Sequence, residues 1–315
     1  MNAGNEARVT EVRRRTEDTI AHLGKDTPPI LRYTKAYCDF FFFELASAAR
    51  ELENAITALN IRRDPVALSL AYTGYGTCKS GLCEFDTACE AYDKALQLNM
   101  RIGDDVRSAM ILSNVCVARL HQGDFASAVT FGQRAVAVAS RSLTPRSVAM
   151  HFNLASALLM SGDQEGAQRA VVAAERALRN ERSWTTNMEF LLGYACFALE
   201  TGDVSLALQS IESAERLAWG KEKAVPNTGL FDKLRVYRLA HTSGPDSARP
   251  VVLEGQQKYR DRHPFYYLDL IACGAWLDRL SLGRYTPDSE SALTLFEKLG
   301  ARGLRAILVA QGLLV

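Results

Sequence analysis

The residues best suited to nucleophilic or metal chemistry in this chain of 315 residues are seven cysteines and five histidines. The cysteines are odd in number and lack CxxC spacing, and their one cluster, Cys78, Cys83 and Cys89, has no histidine nearby. A structural zinc site needs four Cys or His ligands closing a tetrahedron. The cluster therefore reads as small apolar thiols in the core of a reduced protein. His121 and His151 stand alone, with no carboxylate evidently paired to either, and read as core or groove polar residues. The stretch GTCKSG at 76–81 has the glycines of a phosphate loop, but no strand precedes it and no Gly-Lys follows. No GxxxxGK, HExxH or GxSxG motif occurs, and the carboxylates are spread over solvent faces. The sequence names no catalytic residue, no metal ligand and no cofactor, and points to binding without catalysis.

Bulk properties narrow what could be bound. Hydrophobic residues make up 48% of the chain, which excludes global disorder. A net charge of +1 gives no basic footprint of the kind phosphate contacts require, so direct nucleic-acid binding is not expected. The run Arg13-Arg14-Arg15 is interleaved with Glu11, Glu17 and Asp18 and reads as a solvated helix face. No apolar stretch follows the first methionine and no window approaches eighteen apolar residues. Neither a signal peptide nor a membrane span is expected, and the expected location is cytoplasmic. Phe40 to Phe43 are bracketed by Asp39 and Glu44, which closes a membrane reading of that run.

The elements that must position any site emerge from self-similarity. HQGDFASA, MSGDQEGA and ETGDVSLA place Gly123, Gly162 and Gly202 at steps of 39 and 40 residues. Stepping back by 40 lands on Cys83 in GLCEFDTA and then on Phe43 in FFFELASA. Five residues past each anchor stand Ala48, Ala88, Ala128, Ala167 and Ala207. Twelve past stand Ala55, Ala95, Ala135, Ala174 and Ala214. Seven before are Ala36, Gly76, Cys116, Ala155 and Ala195, all small. Small residues on both sides of a turn let two antiparallel helices approach closely, and a spacing of seven keeps each alanine pair on one helix face. The expected helix pairs are 28–42/44–60, 65–81/84–100, 105–121/124–140, 145–160/163–179 and 184–200/203–219. Asp64, Asp104, Thr144 and Ser183 are the expected N-caps, with Pro65 and Pro145 in the first helical position and Thr27 before Pro28 as the same device.

This pattern resembles the tetratricopeptide repeat family, through a small residue in the first helix, a Gly-Asp turn and two alanines in the second helix, as in Ala155, Gly162-Asp163, Ala167 and Ala174. The period exceeds that family's commonest length and is similar to its long-helix variety in bacterial regulators. Phe43 and Cys83 depart from the turn glycine, and Gly132 falls where a large residue is usual. The resemblance implies an all-α, right-handed superhelix: a capping helix within 1–27, five repeats over 28–220, and degenerate repeats with a C-terminal capping helix over 221–315. GKEKAVPNTG at 220–229 breaks the register. A sixth pair is expected at about 229–243 and 246–260 with Ala248 as its alanine. A seventh is expected at 264–282 and 288–299, with Ala292 in that role, Asp288 or Ser289 as cap and Gly300 as stop. A final apolar helix from Leu304 to Leu314 would form a lid.

In such a superhelix the first helix of each pair lines an inner groove. Carried across residue by residue, the lining is Tyr33 and Tyr37, then Thr73 and Thr77, then Asn114, Val117 and His121. Asn153, Ser156 and Met160 follow, and then Leu192. Asn114 and Asn153 share a column, nine before the anchor, where family members often pair an amide with a peptide backbone. The alternative is that they satisfy groups between neighbouring helices. Tyr33, Tyr37, Phe40 and Phe41 are either an aromatic patch for a partner or a surface covered by helix 6–23. No carboxylate clamp of the chaperone-binding kind is visible, since Thr73, Thr77, Ala149 and Asn153 occupy its positions. The resemblance implies a scaffold that binds a protein or peptide segment in the groove, or alternatively a regulatory sensor for a small molecule or signalling peptide.

Overall fold

The computed structural model describes residues 3–61, 63–142, 147–179, 183–220 and 228–315. Among them there are helices and no strands. After α1 (Ala3–Leu23) come antiparallel pairs: α2/α3 (Pro29–Phe41, Leu45–Ala58), α4/α5 (Pro65–Gly81, Phe85–Ile102) and α6/α7 (Asp105–Gln122, Phe125–Ser142). Next are α8/α9 (Ser147–Met160, Gln164–Leu178), α10/α11 (Trp184–Glu200, Val204–Ala218) and α12/α13 (Thr228–Ser243, Pro245–Tyr259). The chain ends with α14 (Pro264–Leu282), α15 (Pro287–Leu293), α16 (Leu295–Lys298) and α17 (Arg302–Ala310).

The alanine columns do what their size permits. All ten alanines, five and twelve past the anchors, are 0% exposed, including Ala128 and Ala167. The column seven before the anchors is equally tight. A Cβ on Gly76 would stand 2.7 Å from the Tyr92 ring and 3.1 Å from the Ala88 carbonyl. The anchors are the left-handed residues that turn one helix into the next: Gly123, Gly162 and Gly202 have φ of 98°, 90° and 80°. Phe43 and Cys83 adopt the same region at 61° and 64°, although side chains disfavour it. Each turn is a Schellman motif. The amides of Glu44, Glu84, Asp124, Asp163 and Asp203 donate to Asp39, Lys79, Arg119, Leu158 and Ala198 carbonyls at 2.8–2.9 Å.

Capping departs from the sequence reading. Asp104 accepts from the Arg107 amide, but Asp64 and Ser183 make no side-chain cap. The Asp64 carboxylate accepts instead from the Asn60 amide, and Thr27 donates back to the Gly24 carbonyl. Thr144 and Pro145 lie outside the described residues, as do 221–227 of the register break. The regular caps sit at the second helices, where Asp124, Asp163 and Asp203 accept from the amides three residues on. The seventh pair also differs. Thr286, not Asp288 or Ser289, caps α15, and the expected second helix breaks at Thr294. Ala292 is only half-buried, because α15 ends before a tight column can form. Gly300 does stop α16, with φ of 64°.

Two contacts draw the array into a closed coil. The Phe43 ring meets Tyr259, His263 and Tyr266 at centroid distances of 5.3, 5.9 and 6.2 Å. This joins the first turn of the array to the α13–α14 junction. The α6 residue His121 lies 4.4 Å from Phe265 of α14. Helix α1 docks on α2 through Arg13, which pairs with Glu44 and, at 3.0 Å, with buried Asp39. It does not cover the aromatic patch: Tyr37 remains 69% exposed and Phe40 40%.

Candidate functional site: a chamber closed by the C-terminal helices

The first helices of four successive pairs, α6, α8, α10 and α12, together with α14 surround a chamber of about 370 Å³, and α17 supplies its remaining wall. Helix α17 reaches that position because Gly303 lies directly on the α6–α7 turn, its backbone nitrogen 3.4 Å from where a Cβ on Gly123 would stand. Ile307 then packs with Cys116, Leu120, Ala128 and Ala157, with Met160 at the edge of the cluster.

A chain of polar side chains crosses the chamber and ties five helices together. Ser156 of α8 donates to Glu200 of α10 at 3.0 Å. Gln311, just past α17, donates to the other Glu200 oxygen at 3.0 Å and accepts from Lys233 of α12 at 3.2 Å. Lys233 lies 3.4 Å from Asp269 of α14. Lys233, Asp269 and Gln311 are 4%, 2% and 4% exposed. Burial pushes the Asp269 and Glu200 carboxyls above the usual range, against the pull of Lys233. Burial opposes the Lys233 ammonium, but neighbouring acidic groups, Asp269 first among them, outweigh it and raise the amine. Burial also pushes the Cys196 thiol up to about 12, so at neutral pH it carries no nucleophilic thiolate.

Nine of the eleven groove residues expected from sequence fall into two places. Val117, His121, Asn153, Ser156 and Leu192 line the chamber. Tyr33, Tyr37, Thr73 and Thr77 line a separate hollow of about 200 Å³ between α2 and α4, together with Phe40 and Cys78. Asn114 is half-buried and outside the chamber wall, and Met160 packs beside α17. The Asn153 amide donates to Ser113 of the preceding pair at 3.0 Å. Glu200, Lys233, Asp269 and Gln311 were not anticipated. Asp269, as the one charge in PFYYLDLIACGAW, was nevertheless legible as a charge on an apolar helix, whereas Lys233 stands among Asp232, Arg235 and Arg238 and gives no such signal.

His121 and His263 are expected to make the fold acid-sensitive. Burial and nearby Lys233 push His121 down to about 3. Burial alone does the same to His263, whose Nδ1 accepts from the Tyr266 amide. Their folded values lie below the unfolded one, so their stabilisation is complete above pH 6.5 and lost as pH falls towards 3. The raised carboxylates act in the opposite sense, so the histidine share is isolated by substitution. His263→Asn keeps a capping acceptor and is expected to flatten the fall in Tm between pH 6.5 and 3. The slope removed is up to about 1.4 kcal/mol per pH unit, read by calorimetry across that range.

No protein-family model and no curated protein sequence matches the chain. Solved structures do match. A Rap protein complexed with competence and sporulation factor superposes with a TM-score of 0.64 at 12% identity, over 96% of this chain and 86% of that one. The Rap conjugation gene regulator of plasmid pLS20, in complex with a Phr peptide, gives 0.64 at 12% identity over 90% and 76%. Aspartyl phosphate phosphatase F from Bacillus subtilis gives 0.60 at 11% over 95% and 76%. The fold is a tetratricopeptide-like superhelix. In this tetratricopeptide-like superhelix the helix pairs follow one another through α13, and α14 and α17 complete the inner wall. Among the described residues, no helix is long and apolar enough to cross a membrane, and no group of three or more His, Cys, Asp or Glu is placed to hold a metal.

Proposed function

We propose that this chain is a non-enzymatic scaffold that binds a short peptide or protein segment on its concave face. The observation that carries this reading is the chamber itself. It is lined by first helices, mostly apolar, and crossed by a few fixed polar groups, the make-up of a ligand site. Two of the structures sharing the fold were solved with competence and sporulation factor or a Phr peptide bound, which supports the same reading. Because α17 forms one wall and is tied to α10 through Gln311 and Glu200, occupancy of the chamber is coupled to the position of the C-terminal helix. This favours a regulatory use, in which filling the chamber changes the surface offered to a second protein.

The test is a thermal-shift screen with a mixed library of unmodified and end-capped peptides. A specific binder is expected to raise stability by about 2.7 kcal/mol at a hundredfold excess over Kd. Ser156→Ala should weaken that binder without lowering the Tm of the free protein by more than the value of one hydrogen bond, about 1 kcal/mol. A library that leaves Tm unchanged throughout, capped and uncapped alike, removes this reading.

A further inference from the structure

The Lys233–Asp269 pair is a poor structural device. Its side chains are 5% and 3% exposed, so both charges have lost their water, at several kcal/mol each. The return is small: the two groups stand 3.4 Å apart, and Asp269 Oδ1 makes no hydrogen bond of normal geometry. An ammonium offers three donors, and the acceptors near Lys233 are Gln311 at 3.2 Å and this long contact. Both residues, nearly fully buried, stand in the lining of the chamber. Around them the wall is apolar, with Phe152, Leu192, Leu230, Phe265, Leu304 and Ile307. A chamber of about 370 Å³ is at the small end for ligand sites and suits one or two residues rather than a long segment.

We infer that the chamber takes a free apolar α-amino acid, or a dipeptide with the same chemistry, its carboxylate on Lys233 and its ammonium on Asp269. A zwitterion inserted there answers Lys233 with its carboxylate and Asp269 with its ammonium, and places its side chain on the apolar wall. A lone cation would leave Lys233 unanswered, and a lone anion would leave Asp269 unanswered and face Glu189 and Glu200. This assignment rests on the peptide-binding reading and narrows it.

The experiment is calorimetric titration and thermal shift with L-leucine, L-phenylalanine and the dipeptide Leu-Phe. The controls are N-acetyl-leucine, leucinamide and N-acetyl-leucinamide. At least one free probe is expected to bind, and each single cap to weaken it by about 10- to 100-fold, because one buried charge is then left unanswered. Preference for leucine over Leu-Phe identifies a free amino acid as the source, and the reverse identifies a peptide end. The double variant Lys233→Met/Asp269→Leu replaces the pair by apolar groups of similar volume and should fold with an unreduced Tm, yet lose the response. Equal binding of free and capped probes, an undiminished response in the double variant, or no response to any free probe overturns the assignment. Stabilisation by longer end-capped peptides in that last case would leave the broader peptide-binding reading standing.

Discussion

Gly303→Ala is expected to release the C-terminal helix from the array and open the chamber. A single Cβ at that position would stand 1.8 Å from the Leu120 carbonyl oxygen and 2.6 Å from the Gly123 amide nitrogen. Both are backbone atoms of the α6–α7 turn, fixed by its Schellman hydrogen bonds, so no side chain can swing away to make room. Either α17 moves or the turn does. The helix is the cheaper element to displace, but Leu304, Ile307 and Leu308 are buried by it, each worth about 1.5–3 kcal/mol of apolar burial. A loss of at least about 3 kcal/mol follows, with a fall in Tm on the order of 5–10 °C. Amide exchange should localise the effect to residues 302–314, while α2 to α11 stay protected. A variant with normal Tm and a protected C-terminus would show that Gly303 is not the seat of this helix.

Asp39→Ala is expected to cost about 1.5–3 kcal/mol, because Lys35 and Ser47 lose their buried acceptor while Arg13 keeps Glu44 and Glu17. The carboxylate is 0% exposed and meets three partners: Arg13 at 3.0 Å, Lys35 at 2.6 Å and the Ser47 hydroxyl at 2.7 Å. Removing it leaves one partly buried cation on α1 and another on α2 facing the same hole. Asp39→Asn should cost less, since the amide still accepts one hydrogen bond. Arg13→Met should cost less again, because Lys35 and Ser47 continue to answer the carboxylate. Denaturant titration of the three variants orders them, and exchange over residues 3–23 reports whether α1 lets go. An Asp39→Ala variant as stable as the parent would reduce the network to surface decoration.

The helix pairs were legible because the same local requirement is written five times. A turn between nested helices demands a left-handed residue and small neighbours, and those demands fall at fixed sequence distances. Even the departures at Phe43 and Cys83 kept the backbone conformation of the glycines they replace. Caps were less legible, because Asp64 and Ser183 have the right side chains but other partners within reach. The chamber wall was half-legible. Val117, His121, Asn153, Ser156 and Leu192 follow the periodic lining, whereas Lys233, Asp269 and Gln311 lie where the period has decayed. Their meeting depends on small rotations between pairs summed over the whole array, and no sequence window records that sum. Of the two readings of the aromatic patch, cover by α1 does not hold for Tyr37 and Phe40, because Arg13 pairs α1 with Asp39 and Glu44 instead.

The seam at Phe43 alters how the molecule should come apart. A linear array of repeats touches only its nearest neighbours, so it frays from either end and populates partly melted states. Here Phe43 is clasped by Tyr259, His263 and Tyr266, with the Lys258 ammonium 5.3 Å above its ring. The loose end of the spring is thereby buckled to a distant coil, and neither can unwind until the buckle opens. Melting is then expected as a single event rather than a progressive peeling, with the aromatic clasp helping to hold the pitch of the coil.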